Sequence, residues 1–496
     1  MPTSTSTPAS APASTATSGG SEDDRQHIII VGAGIIGVCT AYYLTRHPQF
    51  SAKTHRITII ESTRPASGAS GKAGGLLALW AFPSQLVPLS FELHAQLAEE
   101  YNGEEEWGYR RLQTVSLEGN LTKTAASAAA TPKKKKSKST SAADADSIDL
   151  PVDLDWVRKD VTESWSALSG TDSTAQVHPY KFTMFMLRRA QESGAVSLVL
   201  GKVAGINCNK TTGSAESVEY TPTLSSTSTL TPSSNLILTS TSTSTSTSTF
   251  TSTSTSSTAT NNNNSHNHSS SNNTSNSSSN NNSNKNNKNN NNNNNNSSSS
   301  NNNSTTTTLK ADKIIVTVGP WTSRLLPTCP VSGLRAHSIT ITPSRPVSAY
   351  AVFTELKLAK GKYVSPEIYA RKDEVYVCGE GDNYVEVPET TDDVEVLKSR
   401  CDELVKYAGV VSNELQAGRI TRRQACYLPV VDVPSTSGPL VGLTSAANLY
   451  VAAGHSCWGI NNAPGTGKIM AEIVFEGQAR SADVSGLDPR RYFVVA

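Results

Sequence analysis

Residues 27–37 decide the fold of this chain and read HIIIVGAGIIG. The first five form an apolar run rich in β-branched residues, which is typical of a buried strand. A glycine turn follows, and residues 35–46 then have a helical pattern that ends before a proline. RITIIE at 56–61 predicts a second buried strand. Together these segments predict a βαβ unit, whose parallel sheet places the turn at the edge where ligands bind.

The glycine turn is a complete G-x-G-x-x-G formed by Gly32, Ala33, Gly34, Ile35, Ile36 and Gly37. In this motif the first glycine permits the tight turn, the second lets a pyrophosphate approach the backbone amides, and the third lets helix and strand pack. Glu61 ends the second strand, where a carboxylate can accept hydrogen bonds from ribose hydroxyls. We therefore predict a dinucleotide site, and the acid argues against NADP. The alternative is a glycine-rich turn in an unrelated α/β protein.

Two further segments bear on which dinucleotide is bound. SGASGKAGGLL at 67–77 is small and glycine-rich, so its backbone can lie against an elongated cofactor. At 454–468 the chain reads GHSCWGINNAPGTGK, where a buried strand ends in glycines and a helix is predicted to begin near Pro464. The positive end of that helix would stabilise the negative charge of a reduced flavin. FAD is therefore favoured, and an NAD(P) dehydrogenase would leave both segments unexplained.

The overall composition excludes several classes of protein. The chain has 496 residues with 43 Lys and Arg against 42 Asp and Glu, and this balance favours neither nucleic acid nor anionic lipid. No apolar run approaches the ~20 residues of a membrane span, so we expect no integral membrane segment. Ser/Thr/Asn-rich tracts at 1–26, about 119–149 and about 209–308 are predicted to be disordered inserts of low complexity. The remaining residues suffice for a one- or two-domain enzyme.

The cysteines and the termini indicate a compartment. Seven scattered cysteines form no C-x-x-C pair, which excludes a zinc ribbon and a disulfide scaffold and suits a reducing environment. We expect no metal site. The first residues have no apolar core of a secretory signal, and the last four, FVVA, are not a peroxisomal signal. The cytosol is therefore the expected location.

The segments described above resemble the FAD-dependent oxidoreductases of the D-amino-acid oxidase, glycine oxidase and sarcosine oxidase type. Within that family the chain looks most like a cytosolic fungal branch of oxidoreductases, some of which are linked to late-endosome cargo retrieval. The matching pieces occur in family order and include the Glu61 strand end, SGASGKAGGLL, VHPYKF (177–182), GKVAGI (201–206), KIIVTVGPWTSRLLP (313–327), PLVG (439–442) and YVAAGHSCWGINNAPGTGK (450–468).

The resemblance implies an α/β fold with two domains. One is a Rossmann-like FAD-binding domain with a mainly parallel sheet, and the other is an α+β substrate domain whose antiparallel sheet lies over the flavin. The FAD-binding domain would comprise 27–100, 165–330 and 430–480. The substrate domain would comprise 101–164 and 331–429. The two longer polar tracts are inserts, 209–308 in the first domain and 119–149 in the second.

The resemblance also assigns residues to FAD position by position. Besides the six residues of the glycine turn, the predicted FAD contacts are Glu61, Ser62, Ser70, Gly71, Gly74, Gly75, Leu76, Val203, Gly319, Trp321, Gly459 and Ile460. Cys457 could attach the flavin covalently, or it could be a buried and inert thiol.

In this family the substrate C–H next to an amine gives up a hydride to flavin N5, the imine then hydrolyses, and oxygen reoxidises the flavin. The protein mainly orients the substrate and tunes the flavin, so no proton-shuttling triad is expected. Each candidate could instead have a purely structural role, as a satisfied histidine, a packed tryptophan or an ordinary sheet aromatic. The catalytic candidates are His337, His455 and Tyr427, and the candidates for substrate binding are Tyr369, Arg371 and Trp458.

One departure from the family bears on the substrate. The amino-acid oxidases anchor the substrate carboxylate with an arginine in a segment resembling G-L-R-P, whereas residues 425–429 here read ACYLP, so Leu428 stands at the arginine position. A carboxylate buried without a cation is costly. Either another cation substitutes (Arg371, Arg422 or Arg423), or the substrate is not an α-amino acid. We favour the second.

Two functions are therefore open. The first is an FAD-dependent oxidase or dehydrogenase that oxidises a C–N bond of a small amine or an amino-acid-like substrate. The alternative is a flavin-binding regulator of late-endosome to Golgi trafficking with little or no turnover, which would have a protein partner and lie peripherally at the late endosome. The intact flavin-edge segment favours the enzyme, and the missing carboxylate anchor favours the regulator.

Overall fold

The computed structural model describes residues 23–122, 148–223, 305–436 and 438–495. The predicted disorder of the three polar tracts concerns residues that lie mostly outside these ranges. No helix within the described ranges is both long and apolar enough to cross a membrane. All seven cysteines are described, and all are free thiols.

The described residues form nineteen strands and nine α-helices. The strands are β1 Gln26–Val31, β2 His55–Glu61, β3 Leu76–Ala78, β4 Arg110–Arg111, β5 Gln113–Asn120, β6 Thr162–Ser169, β7 Thr174–Gln176, β8 Val196–Cys208, β9 Ala215–Pro222, β10 Thr307–Lys310, β11 Lys313–Val316, β12 Val331–Thr342, β13 Tyr350–Lys357, β14 Tyr363–Val364, β15 Glu367–Ala370, β16 Val375–Cys378, β17 Arg419–Val431, β18 Leu440–Leu443 and β19 Leu449–Ala453. The helices are α1 Ile35–Arg46, α2 Ala69–Lys72, α3 Val87–Glu100, α4 Gly103–Trp107, α5 Pro179–Gln191, α6 Thr322–Leu325, α7 Lys398–Val411, α8 Asn413–Gln416 and α9 Gly459–Glu476.

The first sheet contains the predicted βαβ unit. Its strand order is β10-β9-β8-β2-β1-β11-β19-β18, and β1 pairs in parallel with both β2 and β11. The side chains of β1 alternate between two cores: Ile28 and Ile30 pack with α1 and α9, while Ile29 and Val31 pack on the opposite face. A strand buried on both faces needs the continuous apolar run seen in the sequence. The α/β fold is therefore confirmed.

The edge of this sheet is a β-meander of β8, β9 and β10, with the long polar tract between β9 and β10. The pairs β8–β9 and β9–β10 are antiparallel. Strand β8 is long, and an irregularity in register between Val203 and Gly205 does not end it. A side chain at position 201 would overlap the ring of Tyr220, so the glycine there allows a close cross-strand contact rather than a break.

The second sheet is mixed and has the order β17-β12-β16-β15-β13-β5-β6. Its pairs are antiparallel except β13–β5. Helix α7 covers one face through Cys401, Leu404 and Ala408. The opposite face presents Tyr369 and its neighbours to the glycine-rich loop after β2. Strand β6 begins before the predicted domain boundary at 165, and the division into two domains stays a prediction.

Helix α9 begins earlier than predicted, at Gly459 rather than near Pro464. Pro464 lacks an N–H, so the Ile460 carbonyl loses its helical donor, and His94 Nε2 donates to it instead at 2.9 Å. One residue further on, Ser90 Oγ replaces the helical bond by donating to the carbonyl of residue 461 and accepting from the amide of residue 465. Helix α3 therefore supplies the bonds that let α9 continue through the proline.

Candidate functional site

A cavity of about 450 Å³ lies at the carboxyl ends of β1, β2 and β11. Its wall includes Gly34 of the glycine turn and Ile460 of α9, which are far apart in the sequence. Ligands of open parallel sheets bind at this edge. The segments that the sequence assigned to one cofactor thus border one continuous space.

The glycine turn presents free backbone amides to this cavity. Gly32 has a φ of +104°, a conformation that residues with a Cβ rarely adopt, and it turns the chain from β1 into α1. A side chain at Gly37 would overlap the Gly32 carbonyl oxygen. Among the hydrogen bonds of the described residues, none satisfies the amides of Gly34 and Ile36. Such amides at a helix N-terminus bind phosphate, so the turn fits the pyrophosphate of a dinucleotide.

Glu61 is held in a fixed orientation at the cavity wall. Its Oε2 accepts the Ala33 amide at 2.9 Å, and its Oε1 accepts the Thr63 amide and the Ser62 hydroxyl, each at 3.1 Å. A carboxylate oxygen can accept more than one hydrogen bond. Glu61 can therefore still accept from ribose hydroxyls, as predicted.

A segment of the chain that the sequence did not single out crosses the cavity. We call residues 387–392 the crossing segment. At one end, Arg324 donates to the Glu389 carboxylate at 2.6 Å, and Lys202 pairs with the same group. The indole of Trp321 donates to the carbonyl of residue 388 at 2.7 Å. These contacts fasten the segment to β8 and to the turn after β11.

The other end of the crossing segment is fastened to the loop after β2. The hydroxyl of Thr391 lies 2.8 Å from those of both Thr63 and Ser67, and Arg64 pairs with Asp392. Glu389 and Thr391 both line the cavity. Helix α7 begins only at Lys398, after the crossing segment has ended.

The crossing segment leads to a prediction about cofactor release. Replacing Glu389 with Gln removes the charge that pairs with Lys202 and Arg324. The dissociation rate of FAD should therefore increase by up to about tenfold, which is the range expected for the loss of exposed ion pairs. The rate can be followed as the rise of flavin fluorescence after dilution. Glu386→Gln, a neighbouring change outside the crossing segment, is the matched control. Equal release rates in both variants and the parent would contradict a retaining role.

The start of α9 contributes a neutral histidine. His455 is buried on the cavity wall, its Nε2 lies 3.0 Å from the Thr466 hydroxyl, and burial lowers the pKa of the imidazole to about 3. The imidazole is therefore uncharged near neutral pH. Gly454 and Ser456 adopt φ values of +86° and +50°, which bend the chain sharply before the helix. These contacts favour a positioning role for His455 rather than proton transfer.

Most predicted FAD contacts lie on the cavity wall. Those that line it are Gly32, Gly34, Ile35, Ile36, Glu61, Ser62, Ser70, Val203, Gly319, Trp321, Gly459 and Ile460. Six others do not line it: Ala33, Gly37, Gly71, Gly74, Gly75 and Leu76. Of these, Gly74 allows the ring of Tyr369 to approach, since a Cβ there would lie 2.5 Å from Cε2. Direct contact of each residue with FAD stays a prediction.

Two of the catalytic candidates, His337 and Tyr427, lie away from the wall of the main cavity. His337 does not line the main cavity: its Nε2 accepts the Leu397 amide at 3.0 Å, and its ring borders a small separate cavity beneath α7. Tyr427 donates to the carbonyls of Val385 and Glu386 at 3.2 and 3.1 Å, just before the crossing segment. The next two residues, Leu428 and Pro429, line the cavity, whereas Tyr427 does not.

The three arginines proposed as substitutes for the missing anchor do not line the cavity, and two of them have other partners. Arg371 is buried, donates to the carbonyls of Ala73 and Gly74, and pairs with Glu374 at 2.6 Å, so it braces the glycine-rich loop instead of binding substrate. Arg423 pairs with an aspartate of α7, Asp402, and Arg422 is exposed. None of these three lines the cavity.

The remaining candidates lie near the α9 end of the cavity. Cys457 is on the wall, and its side chain is exposed. Desolvation by the surrounding protein nevertheless raises the pKa of its thiol, which does not favour a reactive thiolate. Trp458 and Tyr369 do not line the cavity but belong to one cluster of aromatic side chains beside it. A covalent flavin link stays untested by these contacts.

Comparison with known proteins agrees with this site. The family model described as "FAD dependent oxidoreductase" matches residues 27–226 and 292–473. The protein named "Putative oxidoreductase TDA3" of Saccharomyces cerevisiae is 42% identical, with 95% of each chain covered. A second relative, "Putative oxidoreductase C1F5.03c" of Schizosaccharomyces pombe, is 31% identical over 94% of this chain and 98% of its own.

Among solved structures, glycine oxidase of Geobacillus kaustophilus superposes with a TM-score of 0.56 at 16% identity, covering 95% of this chain and all of its own. That identity supports the fold alone. The family match and the two relatives go further and confirm the cofactor, because they cover the glycine turn, Glu61 and α9 together. The chain therefore belongs to the DAO family of FAD-dependent oxidoreductases.

Proposed function

We propose that this oxidoreductase oxidises the carbon–nitrogen bond of a small amine. The observation that carries the proposal is the composition of the cavity wall. The wall contains the free amides of the glycine turn, Glu61 and the start of α9, and it also contains the apolar Leu428. When bound, FAD supplies the two-electron acceptor that such an oxidation requires. The side chains on the wall then need only bind and orient.

The residues near the start of α9 are consistent with these roles, in which FAD accepts the electrons and the protein binds and orients the substrate. The N-terminus of a helix carries partial positive charge, which favours electron density on a neighbouring ring system. The buried, uncharged His455 adds no competing charge, and its bond to Thr466 fixes the bend before the helix. Nothing in this arrangement requires a proton-shuttling group.

The nature of the wall supports an amine over an α-amino acid. Leu428 and Pro429 line the cavity where the family's carboxylate-binding arginine is expected, and Arg371 is saturated by carbonyls and Glu374. A substrate carboxylate placed there would be desolvated without a cation. An amino-acid-like substrate is the narrower alternative, and the name of the glycine oxidase neighbour refers to such a substrate.

Anaerobic bleaching of the flavin absorption near about 450 nm tests the proposal. A panel of primary and secondary alkylamines should reduce the bound flavin, whereas α-amino acids of matched length should do so much more slowly. Protein reduced with dithionite gives the absorbance for complete bleaching. Failure of every amine and amino acid to bleach the flavin would contradict an enzymatic role.

That negative result would favour the alternative, a flavin-binding regulator of late-endosome to Golgi trafficking. The one observation in its favour is the replacement of the arginine anchor by Leu428. The trafficking partner, the cytosolic location and a peripheral place at the late endosome stay predictions.

A further inference from the structure

A half-buried carboxylate near the α9 end of the cavity has no cation partner among the described residues. Glu367 begins β15, its Oε2 accepts the hydroxyl of Tyr369, and the thiol of Cys378 lies 3.7 Å from the same oxygen. In the described part of the chain Glu367 takes part in no ion pair. Burial raises its pKa, since few polar groups replace the lost water. Desolvated carboxylates in proteins are normally paired with a cation, so this one can accept a cation from outside.

Four aromatic rings extend from the carboxylate to the start of α9. Tyr369 lies 5.9 Å from Phe353, Phe353 lies 6.0 Å from Trp80, and Trp80 lies 5.4 Å from Trp458, measured between ring centroids. Trp80 is 44% exposed, so a solute can reach the cluster. The faces of such rings attract alkylammonium groups, most strongly where water is excluded. We call Glu367 and these four side chains the aromatic–acid cluster.

The aromatic–acid cluster adjoins the cofactor cavity. Trp458 follows Cys457, whose side chain is on the cavity wall. Trp458 also packs against the buried cluster that contains Tyr369, the residue whose hydroxyl donates to Glu367. On the same wall stands the apolar Leu428. The local charge therefore favours a cation and disfavours an anion.

We propose that the aromatic–acid cluster binds the protonated nitrogen of an alkylamine and thereby selects amines that lack a carboxylate. The inference rests on the proposed function, because it names the substrate class of the same enzyme. Glu367 supplies the charge, and Trp80, Phe353 and Trp458 supply ring faces and edges around the alkyl groups. A substrate carboxylate would be repelled by the like charge of Glu367, and the aromatic–acid cluster contains no cation that would compensate for this repulsion.

Two probes of equal shape and opposite charge test the site on the FAD-loaded protein. tert-Butylammonium has no hydrogen on the carbon next to nitrogen, so it cannot be oxidised, and pivalate replaces its ammonium with a carboxylate. We expect tert-butylammonium to perturb the flavin spectrum and the tryptophan fluorescence in a saturable manner, and pivalate to bind at least about tenfold more weakly. Tighter binding of pivalate would overturn the proposal.

Substitutions then identify the residues. Glu367→Gln should weaken tert-butylammonium binding by about tenfold or more, and Trp80→Leu, at an exposed position, should also weaken it. Glu118→Gln, which removes an exposed carboxylate from the same sheet, should leave the binding unchanged. Flavin content and thermal unfolding show that each variant is folded. If folded Glu367→Gln binds tert-butylammonium as tightly as the parent, the proposal is overturned. If Glu367→Gln loses its flavin, Trp80→Leu decides instead, and unchanged tert-butylammonium binding in that variant overturns the proposal.

The two proposals can fail separately. Bleaching by amines together with unchanged binding in Glu367→Gln would remove the site and keep the oxidase. Absence of bleaching together with loss of tert-butylammonium binding in Glu367→Gln would remove the oxidase and keep the site.

Discussion

Gly34→Val should yield a folded protein that no longer retains FAD. The backbone at residue 34 has φ −73° and ψ 175°, which valine adopts readily, so the strand and helix can still form. Its Cβ, however, would lie 3.1 Å from Ser70 Oγ, and the branched side chain would cover the amides that the turn presents to the cavity. Losing the pyrophosphate contacts should weaken FAD binding by about two orders of magnitude or more.

The measurement is the ratio of flavin absorbance to protein absorbance after purification and dialysis, followed by titration with FAD. Gly205→Val is the matched control, because a Cβ at that position on β8 would meet no atom within 4 Å. Its flavin content should equal that of the parent. A Gly34→Val protein that stays fully yellow would show that the turn does not hold the pyrophosphate.

Acidification from pH 6.5 to pH 4 should destabilise the folded protein by several kcal/mol. Burial lowers the pKa of His455 to about 3, and burial is also the main cause that lowers the pKa of His27, His94 and His178 to about 4. In the unfolded chain each imidazole takes up a proton near about pH 6.5. Between the two values the unfolded state binds more protons, so stability falls as the pH falls. Each unit of pKa difference corresponds to about 1.4 kcal/mol.

Urea unfolding followed by tryptophan fluorescence at a series of pH values measures this dependence. His455→Asn should reduce its slope, since asparagine can keep a polar contact with Thr466 but takes up no proton. His55→Asn changes a half-exposed histidine and serves as the control. A slope that is the same in His455→Asn and in the parent would show that His455 contributes nothing to the acid sensitivity.

The sequence predicted the parts of the fold that short-range patterns encode. The apolar run of β1 and the spacing of Gly32, Gly34 and Gly37 specify a strand, a turn and a helix with no information from elsewhere in the chain. The same patterns identified the start of α9, although Pro464 placed it too late. The helix continues through Pro464 because Ser90 and His94 of α3 complete its hydrogen bonds, and no local pattern contains that contact.

The features that the sequence did not predict are made by long-range contacts. The crossing segment depends on Glu389 meeting Lys202 and Arg324 and on Thr391 meeting the loop after β2, and neither residue belongs to a motif. Tyr427 was predicted as a catalytic candidate, but the next two residues, Leu428 and Pro429, line the cavity instead, because the register and course of β17 decide which residues face it. Glu367 was not predicted as a functional residue, because a single acidic residue in a strand indicates no function until the aromatic rings around it are known.

The β-meander at the edge of the first sheet has a practical consequence for cell biology. Strands β9 and β10 are antiparallel neighbours, so whatever joins residue 223 to residue 306 starts and finishes at adjacent positions. In general, doubling the length of a loop whose ends are adjacent costs only about 0.6 kcal/mol more in closure entropy. A fluorescent protein, whose own termini lie close together, could therefore be spliced into this connection to follow the flavoenzyme in living cells without a fusion at either terminus.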